Sequence, residues 1–324
     1  MSGSDRLPVA LLLPGQGSQY QGMGTGLYGQ EKVFTEAVDE IFDLLGPDAA
    51  PVRADWLSDE PVLPIHEVGR AQVMLFVIDW AISRQLISWG VEPAAVLGHS
   101  AGELVAATLA GVFTLPDAVT LMWQRVARWA DAPPGGMLAV AGRPDQIEPM
   151  LEGGVVVAIV NTPSQVIVAG PRDGLRRSRG NLESEGFTCR TVPATTGFHS
   201  PMLAEAVESM IPLVERAEVH PPRLAFWSGF TAGRPTAAEL ADPLLWAGHA
   251  VEPVLFWPAL SGMLAEGDFR LVEAGPGRVL STAARRHRSV AFGASTSQAS
   301  MPARFQGQDA ERAALEALAE ALID

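Results

Sequence analysis

Residues 94–110 constrain this chain more than any other stretch. A short apolar run, Ala94 to Leu97, leads into Gly98-His99-Ser100-Ala101-Gly102-Glu103, and from Gly102 to Ala110 the sequence turns rich in Ala, Leu and Glu. A short apolar run bounded by turn residues reads as a buried strand, and Ala, Leu and Glu favour helix. The hexapeptide therefore sits where a strand hands over to a helix. G-x-S-x-G in that position is a nucleophile-elbow pattern. A sharp turn strains the serine backbone, flanking glycines let strand and helix approach, and the hydroxyl projects into a cleft at the sheet edge. The amide that starts the helix can help hold a developing oxyanion.

The flanking segments extend this pattern. Pro8 to Leu13 is a second short apolar run, stopping at Pro14-Gly15, and reads as a buried strand feeding a turn. Between Ala71 and Trp89, Val73, Phe76, Val77, Trp80 and Ile87 recur at helical spacing. Strands alternating with helices imply a parallel sheet with helices on its faces. The middle of the chain differs. Met137–Val140, Val155–Val160, Gln165–Ala169 and Cys189–Val192 read as strands, with helical segments over 144–151 and 174–186. That β-α-β-β-α-β order is ferredoxin-like. The expected architecture is α/β: a large α/β-hydrolase-like domain with a parallel sheet from residues 1–127 and 196–324, plus a small inserted ferredoxin-like α+β subdomain over 128–195. Ala291 to Gln308, rich in Ser, Gln, Gly and Ala, reads as a linker or loosely packed tail. Residues 310–323 carry Leu315, Leu318 and Leu322 on one helical face and read as a docking helix.

Composition removes several function classes. The 324 residues include 37 acidic and 23 basic side chains, a net charge of −14, which argues against a nucleic-acid partner. The single cysteine, Cys189, excludes an internal disulfide, and nothing around it would activate a thiol. No His/Cys/Asp group has zinc-ligand spacing, so no metal is expected. The apolar run before Pro14-Gly15 has no cleavage signature behind it, and no stretch approaches the ~20 apolar residues needed to span a bilayer. The expectation is a cytoplasmic protein with no membrane partner. A serine nucleophile needs a base. Six histidines are available, His66, His99, His199, His220, His249 and His287, and sequence spacing alone does not choose among them.

Taken together, seven motifs in order resemble the malonyl-CoA:acyl carrier protein transacylase family, including polyketide synthase acyltransferase domains. They are Pro14-Gly15-Gln16-Gly17-Ser18-Gln19, the segment Ala71-Gln72-Val73-Met74-Leu75-Phe76, the Gly98–Glu103 elbow, Arg125 at 25 positions after Ser100, Asn161-Thr162-Pro163-Ser164-Gln165, Gly197-Phe198-His199-Ser200-Pro201, and Glu273-Ala274-Gly275-Pro276-Gly277. The resemblance covers nearly the whole chain. It implies that His199 takes the proton of Ser100, that the serine is acylated by a thioester, and that the phosphopantetheine thiol of a carrier protein then takes the acyl group. It assigns the backbone amides of Gln16 and Ala101 to the oxyanion hole, each contributing about 3 kcal/mol, and the main chain at His249 to orienting the catalytic histidine. It assigns Arg125, Gln72 and Phe198 to substrate binding, Arg125 holding a carboxylate as in malonyl and Phe198 crowding an α-methyl group.

The same resemblance implies no bound cofactor, with coenzyme A or carrier-protein phosphopantetheine thioesters as substrates, malonyl-CoA first among the donors. An acidic carrier protein facing a chain of −14 requires a local basic patch. The candidates are Arg172, Arg176, Arg177 and Arg179 in the small subdomain, and Arg285, Arg286 and Arg288 after the Gly-Pro-Gly turn. The sequence departs from the family at Ala101, Trp123-Gln124, Thr196-Gly197, Trp227 and His249, which either reshape the acyl pocket or repack the core. The initial methionine and the lack of a ketosynthase-like segment give the expectation of a discrete enzyme acting in trans. Alternatives are transfer of an unusual acyl unit between two carrier proteins and an editing hydrolase. A non-catalytic scaffold has no need of Ser100, His199 and Arg125 together.

Overall fold

Five consecutive apolar residues form β1 (Val9–Leu13), and all five are buried. A strand so composed is stable only in a sheet covered on both faces. Along it Val9, Leu11 and Leu13 enter one apolar cluster while Ala10 and Leu12 enter another, as the two-residue period of a strand requires. The structure is a computed structural model that describes residues 6–129 and 132–323. The expected domain spans also include residues 1–5, 130–131 and 324, which lie outside the described residues.

After β1 come α1 (Lys32–Leu45), α2 (Ala50–Leu57) and α3 (Val68–Ser88), then β2 (Pro93–Gly98), α4 (Gly102–Leu109) and α5 (Leu115–Trp129). The next block is β3 (Gly135–Ala141), α6 (Pro144–Ile147), β4 (Val156–Thr162), β5 (Gln165–Pro171), α7 (Arg172–Ser184) and β6 (Thr188–Val192). The chain then continues through α8 (Ala204–Val214), β7 (Ala225–Trp227), α9 (Ala237–Ala241), α10 (Pro243–Ala247), α11 (Phe256–Glu266), β8 (Arg270–Glu273), α12 (Val279–Ala284), α13 (Arg288–Ala291), β9 (Thr296–Ala299) and α14 (Gln308–Ile323).

Two sheets result. The first, in the order β7-β2-β1-β8-β9, is parallel throughout. The second, in the order β4-β5-β3-β6, is antiparallel and has the ferredoxin-like arrangement that the strand and helix order predicts. In β3, Met137 packs toward the large domain while Leu138 and Val140 pack toward α7. β4 of the second sheet is tied to the segment preceding α11 by main-chain hydrogen bonds, Val160 N to Val254 O and Val254 N to Ala158 O, each 2.8 Å.

One expectation needs correcting. Residues 291–308 are not simply a loose tail: they contain β9, which pairs in parallel with β8 at the sheet edge. Buried Ser295 and Ser297 alternate with exposed Thr296 and Gln298. The buried hydroxyls are satisfied, Ser295 donating to Asp268 Oδ1 at 2.9 Å and Ser297 to the Ser281 carbonyl at 3.1 Å. A strand whose buried face is serine has no hydrophobic alternation to reveal it. By contrast α14 docks as expected, with Leu315, Leu318 and Leu322 buried. Trp227, one of the departures from the family, lies within β7, buried against Gly262 of α11.

Candidate active site

The turn between β2 and α4 is built by close contact. A Cβ on Gly98 would lie 2.3 Å from Glu103 Cα, and one on Gly102 would lie 2.2 Å from the Leu13 carbonyl oxygen. Any side chain at either position would push strand and helix apart. Ser100 is left with φ 53°, in the left-handed region that a non-glycine residue occupies at a cost of about 1–3 kcal/mol. The elbow is braced from below. Glu103 is buried and accepts from the Gly229 amide at 3.2 Å, and burial raises its carboxyl to about 8.

Of the six histidines, His199 reaches the serine. Ser100 Oγ lies 2.7 Å from His199 Nε2, and His199 Nδ1 lies 3.1 Å from the Glu252 carbonyl. With Nδ1 donating to that carbonyl, Nε2 is free to accept the serine proton. His199 also sits at positive φ, 60°, so both members of the pair are held in strained backbone. Burial chiefly, together with the charges of His99 and Arg125, pushes His199 down to about 3, against the opposing effect of backbone hydrogen bonds at Glu252 and His249. The imidazole is therefore neutral at physiological pH, the form a general base needs.

The expected orienting position, His249, contributes to the backbone around His199, but the carbonyl placed on Nδ1 is that of Glu252. The His249 ring stacks on Phe230 with centroids 3.8 Å apart, and its Nε2 has no partner among the described residues. His99 points the other way, its Nε2 lying 2.8 Å from Asn161 Oδ1 and tying the elbow to β4 of the small sheet. His66 meets Gln19 at 3.1 Å at the cavity rim, while His220 and His287 lie elsewhere.

A cavity of about 100 Å³ opens at Ser100 and His199. Gln16, Gln72 and Phe198 line it, with Gln72 Nε2 donating to Gln16 Oε1 at 3.0 Å. Ala101, the residue that precedes α4, is buried. Trp129, Met137 and Ile159 complete much of the wall and were not singled out by sequence. Arg125 is 7% exposed and its Nε has no partner among the described residues. Its guanidinium carbon sits 5.2 Å from the Trp129 ring centre, and Trp129 packs edge-on against Phe198 at 5.0 Å. Burial lowers Arg125 to about 10, so it remains charged at neutral pH. A buried cation without a carboxylate is costly to maintain unless an anion joins it. Trp123, one of the departures, faces a separate cavity with Glu67 and Val126, away from Ser100.

The two arginine clusters differ. On α7, Arg176 pairs with Asp173 at 2.7 Å and Arg179 with Glu183 at 2.7 Å, while Arg177 reaches Glu152 at 3.1 Å. Three of the four arginines of α7 are thus paired with a nearby carboxylate, and the helix keeps an excess of basic over acidic side chains. Arg172 Nε lies 3.5 Å from the Gly135 carbonyl. Beyond β8, Arg285 donates to the Ser297 carbonyl at 3.3 Å, Arg286 faces a second cavity, and Arg288 begins α13. Among the described residues no helix is long and apolar enough to cross a membrane.

A family model described as "Acyl transferase domain" matches residues 11–317. Spectinabilin polyketide synthase system protein NorB of Streptomyces orinoci is 33% identical over 285 residues, covering 86% of this chain and 13% of that protein. Polyketide synthase GfsA of Streptomyces halstedii is 35% identical over 298 residues, covering 88% of this chain and 4% of that protein. The chain thus spans well under a fifth of the length of these relatives. Among solved structures, the acyltransferase domain from the second module of the salinomycin polyketide synthase matches with a TM-score of 0.88 and 30% identity, covering 98% of this chain and 73% of that one. MCAT from Streptococcus pneumoniae matches with a TM-score of 0.83 and 27% identity, covering 97% and 99% of the two chains.

Proposed function

The chain belongs to the acyl transferase domain family, and on that premise we propose that it moves a carboxylated acyl group, malonyl, through Ser100 onto the phosphopantetheine thiol of an acyl carrier protein. The observation that carries this reading is the 2.7 Å approach of Ser100 Oγ to a neutral His199, in a cavity backed by a buried arginine that has no carboxylate partner among the described residues.

In the first half-reaction His199 Nε2 takes the Ser100 proton as Oγ attacks the thioester carbonyl. The backbone amides of Gln16 and Ala101 receive the charge that develops on oxygen. Collapse of the tetrahedral intermediate expels the thiol, which leaves with the proton from His199. In the second half-reaction His199 takes the proton of the carrier thiol, the sulfur attacks the acyl-serine ester, and Ser100 recovers its proton. The Glu252 carbonyl holds the imidazole in the required tautomer throughout. Arg125 supplies two parallel N–H donors to the free carboxylate of malonyl, an interaction acetyl cannot make. Moving into that position means leaving or rotating against the Trp129 ring.

The test is single-turnover transfer. Enzyme acylated with malonyl-CoA is freed of donor and mixed with a phosphopantetheinylated carrier protein. Malonyl appearing on the carrier supports the proposal. Release of free malonate with an unmodified carrier identifies an editing hydrolase instead. Loading only from a carrier-bound donor identifies a carrier-to-carrier transferase.

A further inference from the structure

The loop that brings Gln16 to the Ser100 cavity has little of its own to hold it. Residues 14–31 lie between β1 and α1, form neither strand nor helix, and include six glycines. Glycine-rich backbone without regular pairing stays conformationally free unless its amides find partners elsewhere. The partner is on α14. Glu311, fully buried, accepts through Oε1 from the Tyr20 hydroxyl at 2.8 Å and the Gly24 amide at 3.2 Å, and through Oε2 from the Gly26 amide at 3.1 Å. A carboxylate only accepts, and each of these three groups is a donor. A Cβ on Gly26 would lie 2.2 Å from the Gln308 carbonyl oxygen, so the loop rests directly on the first turn of α14. Arg312, beside Glu311, pairs with Glu31 at 3.2 Å at the far end of the loop. At the near end Tyr20 follows Gln19, whose Oε1 accepts from the Gly17 amide at 2.6 Å and whose Nε2 lies 3.1 Å from His66 Nδ1. Gln16, Gly17 and Gln19 all line the Ser100 cavity. Leu315, Leu318 and Leu322 already anchor α14 by apolar contact. A buried acid among them is costly unless its acceptors are filled, and the loop fills them.

We infer that Glu311 is a positioning residue for acyl transfer: by gathering Tyr20, Gly24 and Gly26 it fixes the loop whose Gln16 amide receives the oxyanion. The inference rests on the acyl-transfer reading and adds a residue to it. Glu311 touches no substrate and acts through the loop. Oxyanion donors are effective because they are held in place before charge develops. A misplacement on the order of 1 Å, caused far from the chemistry, can cost about 100-fold. The near end of the loop keeps its ties at Gln16 and Gln19 when Glu311 is changed, so the expected loss is smaller.

The experiment compares wild type with Glu311→Gln, Tyr20→Phe, the two combined, and Leu318→Ala, in single-turnover acylation by malonyl-CoA well below the Tm of each. Glu311→Gln is expected to lower the rate at saturating donor about tenfold, with the half-saturating concentration moving less than about twofold. Tyr20→Phe, which removes one donor of the three, is expected to lower it about threefold. The combined variant is expected to be no slower than Glu311→Gln, because Tyr20 acts through the same carboxylate. Leu318→Ala thins the apolar anchor and keeps the carboxylate, so its Tm is expected to fall while its rate stays within about twofold. A Glu311→Gln rate within about twofold of wild type overturns the inference. So does a loss confined to half-saturation, a combined loss equal to the product of the single losses, or an equal slowing by Leu318→Ala. If Glu311→Gln does not fold, Tyr20→Phe decides: a slower rate at unchanged half-saturation supports the inference, and an unchanged rate overturns it. Failure of the acyl-transfer reading shows separately, as absence of any acyl adduct on the wild type.

Discussion

The parallel and antiparallel sheets both reach the Ser100 cavity, but they contribute different things to it. From the C-terminal ends of the parallel strands come the elbow after β2 and the Gln16 loop after β1, the end at which open α/β sheets place their sites. The antiparallel sheet contributes wall: Met137 from β3, Ile159 from β4 and Val192 from β6. It touches the reacting turn indirectly, through Asn161 and His99. The reacting atoms are fixed by strained, fully packed backbone, whereas the wall is made of ordinary side chains on a small sheet. Changes to the first region should therefore alter rate, and changes to the second should alter which acyl group is accepted.

The largest effect is expected from His199→Ala, which should slow acyl-enzyme formation about 1,000-fold in rapid-quench measurements. A loss below tenfold would place the general base elsewhere. Arg125→Ala should reduce the preference for malonyl over acetyl about 100-fold in kcat/KM, through loss of a bidentate charge-assisted contact. An unchanged preference would mean that the carboxylate is read by another group. Ile159→Ala should raise butyryl loading relative to acetyl by about tenfold, with acetyl turnover changing little, since one or two methylenes of pocket space are worth ~1–3 kcal/mol. An equal drop for both donors would break the division between reacting and shaping regions.

The smallest expected effect is on the pH profile of acylation. An ordinary histidine gains a proton near pH 6.5, whereas His199, held near 3 by burial, stays neutral well below that. The acylation rate should change by less than about threefold between pH 8 and pH 5.5. A titration midpoint near 6.5 would contradict the buried, neutral base. The same depression has the opposite consequence for stability. The unfolded histidine takes up a proton below 6.5 that the folded one refuses until about 3, so this contribution is present above 6.5 and is lost progressively as pH falls across that window.

Much of the reacting region was legible because its constraints are local. Glycines, a serine and the change from strand to helix composition sit together at 94–110. The ferredoxin-like order was also readable, since three of the four strands of the small sheet are separate apolar runs and the fourth follows in the expected place. What sequence did not reveal depended on long-range contact. The Glu252 carbonyl carries no side-chain signature, because a backbone oxygen belongs to every residue. Trp129 stands one helical turn from Arg125 on α5, but it meets Phe198 only once α5 and the 197–200 turn pack together. β9 hid because its buried positions are serines that satisfy their hydroxyls rather than apolar groups. The ion pairs along α7 were partly visible, however. Asp173 with Arg176 and Arg179 with Glu183 stand three and four residues apart, the spacing at which helix side chains pair.

The central claim is that Ser100 carries the acyl group. Its most direct test is intact-mass analysis after incubation with malonyl-CoA, acetyl-CoA and methylmalonyl-CoA, with Ser100→Ala alongside and peptide mapping of any adduct. A single malonyl adduct on the Ser100 peptide, absent from Ser100→Ala and weaker with acetyl-CoA, is the predicted result. An adduct that survives in Ser100→Ala, or maps to another residue, would contradict it.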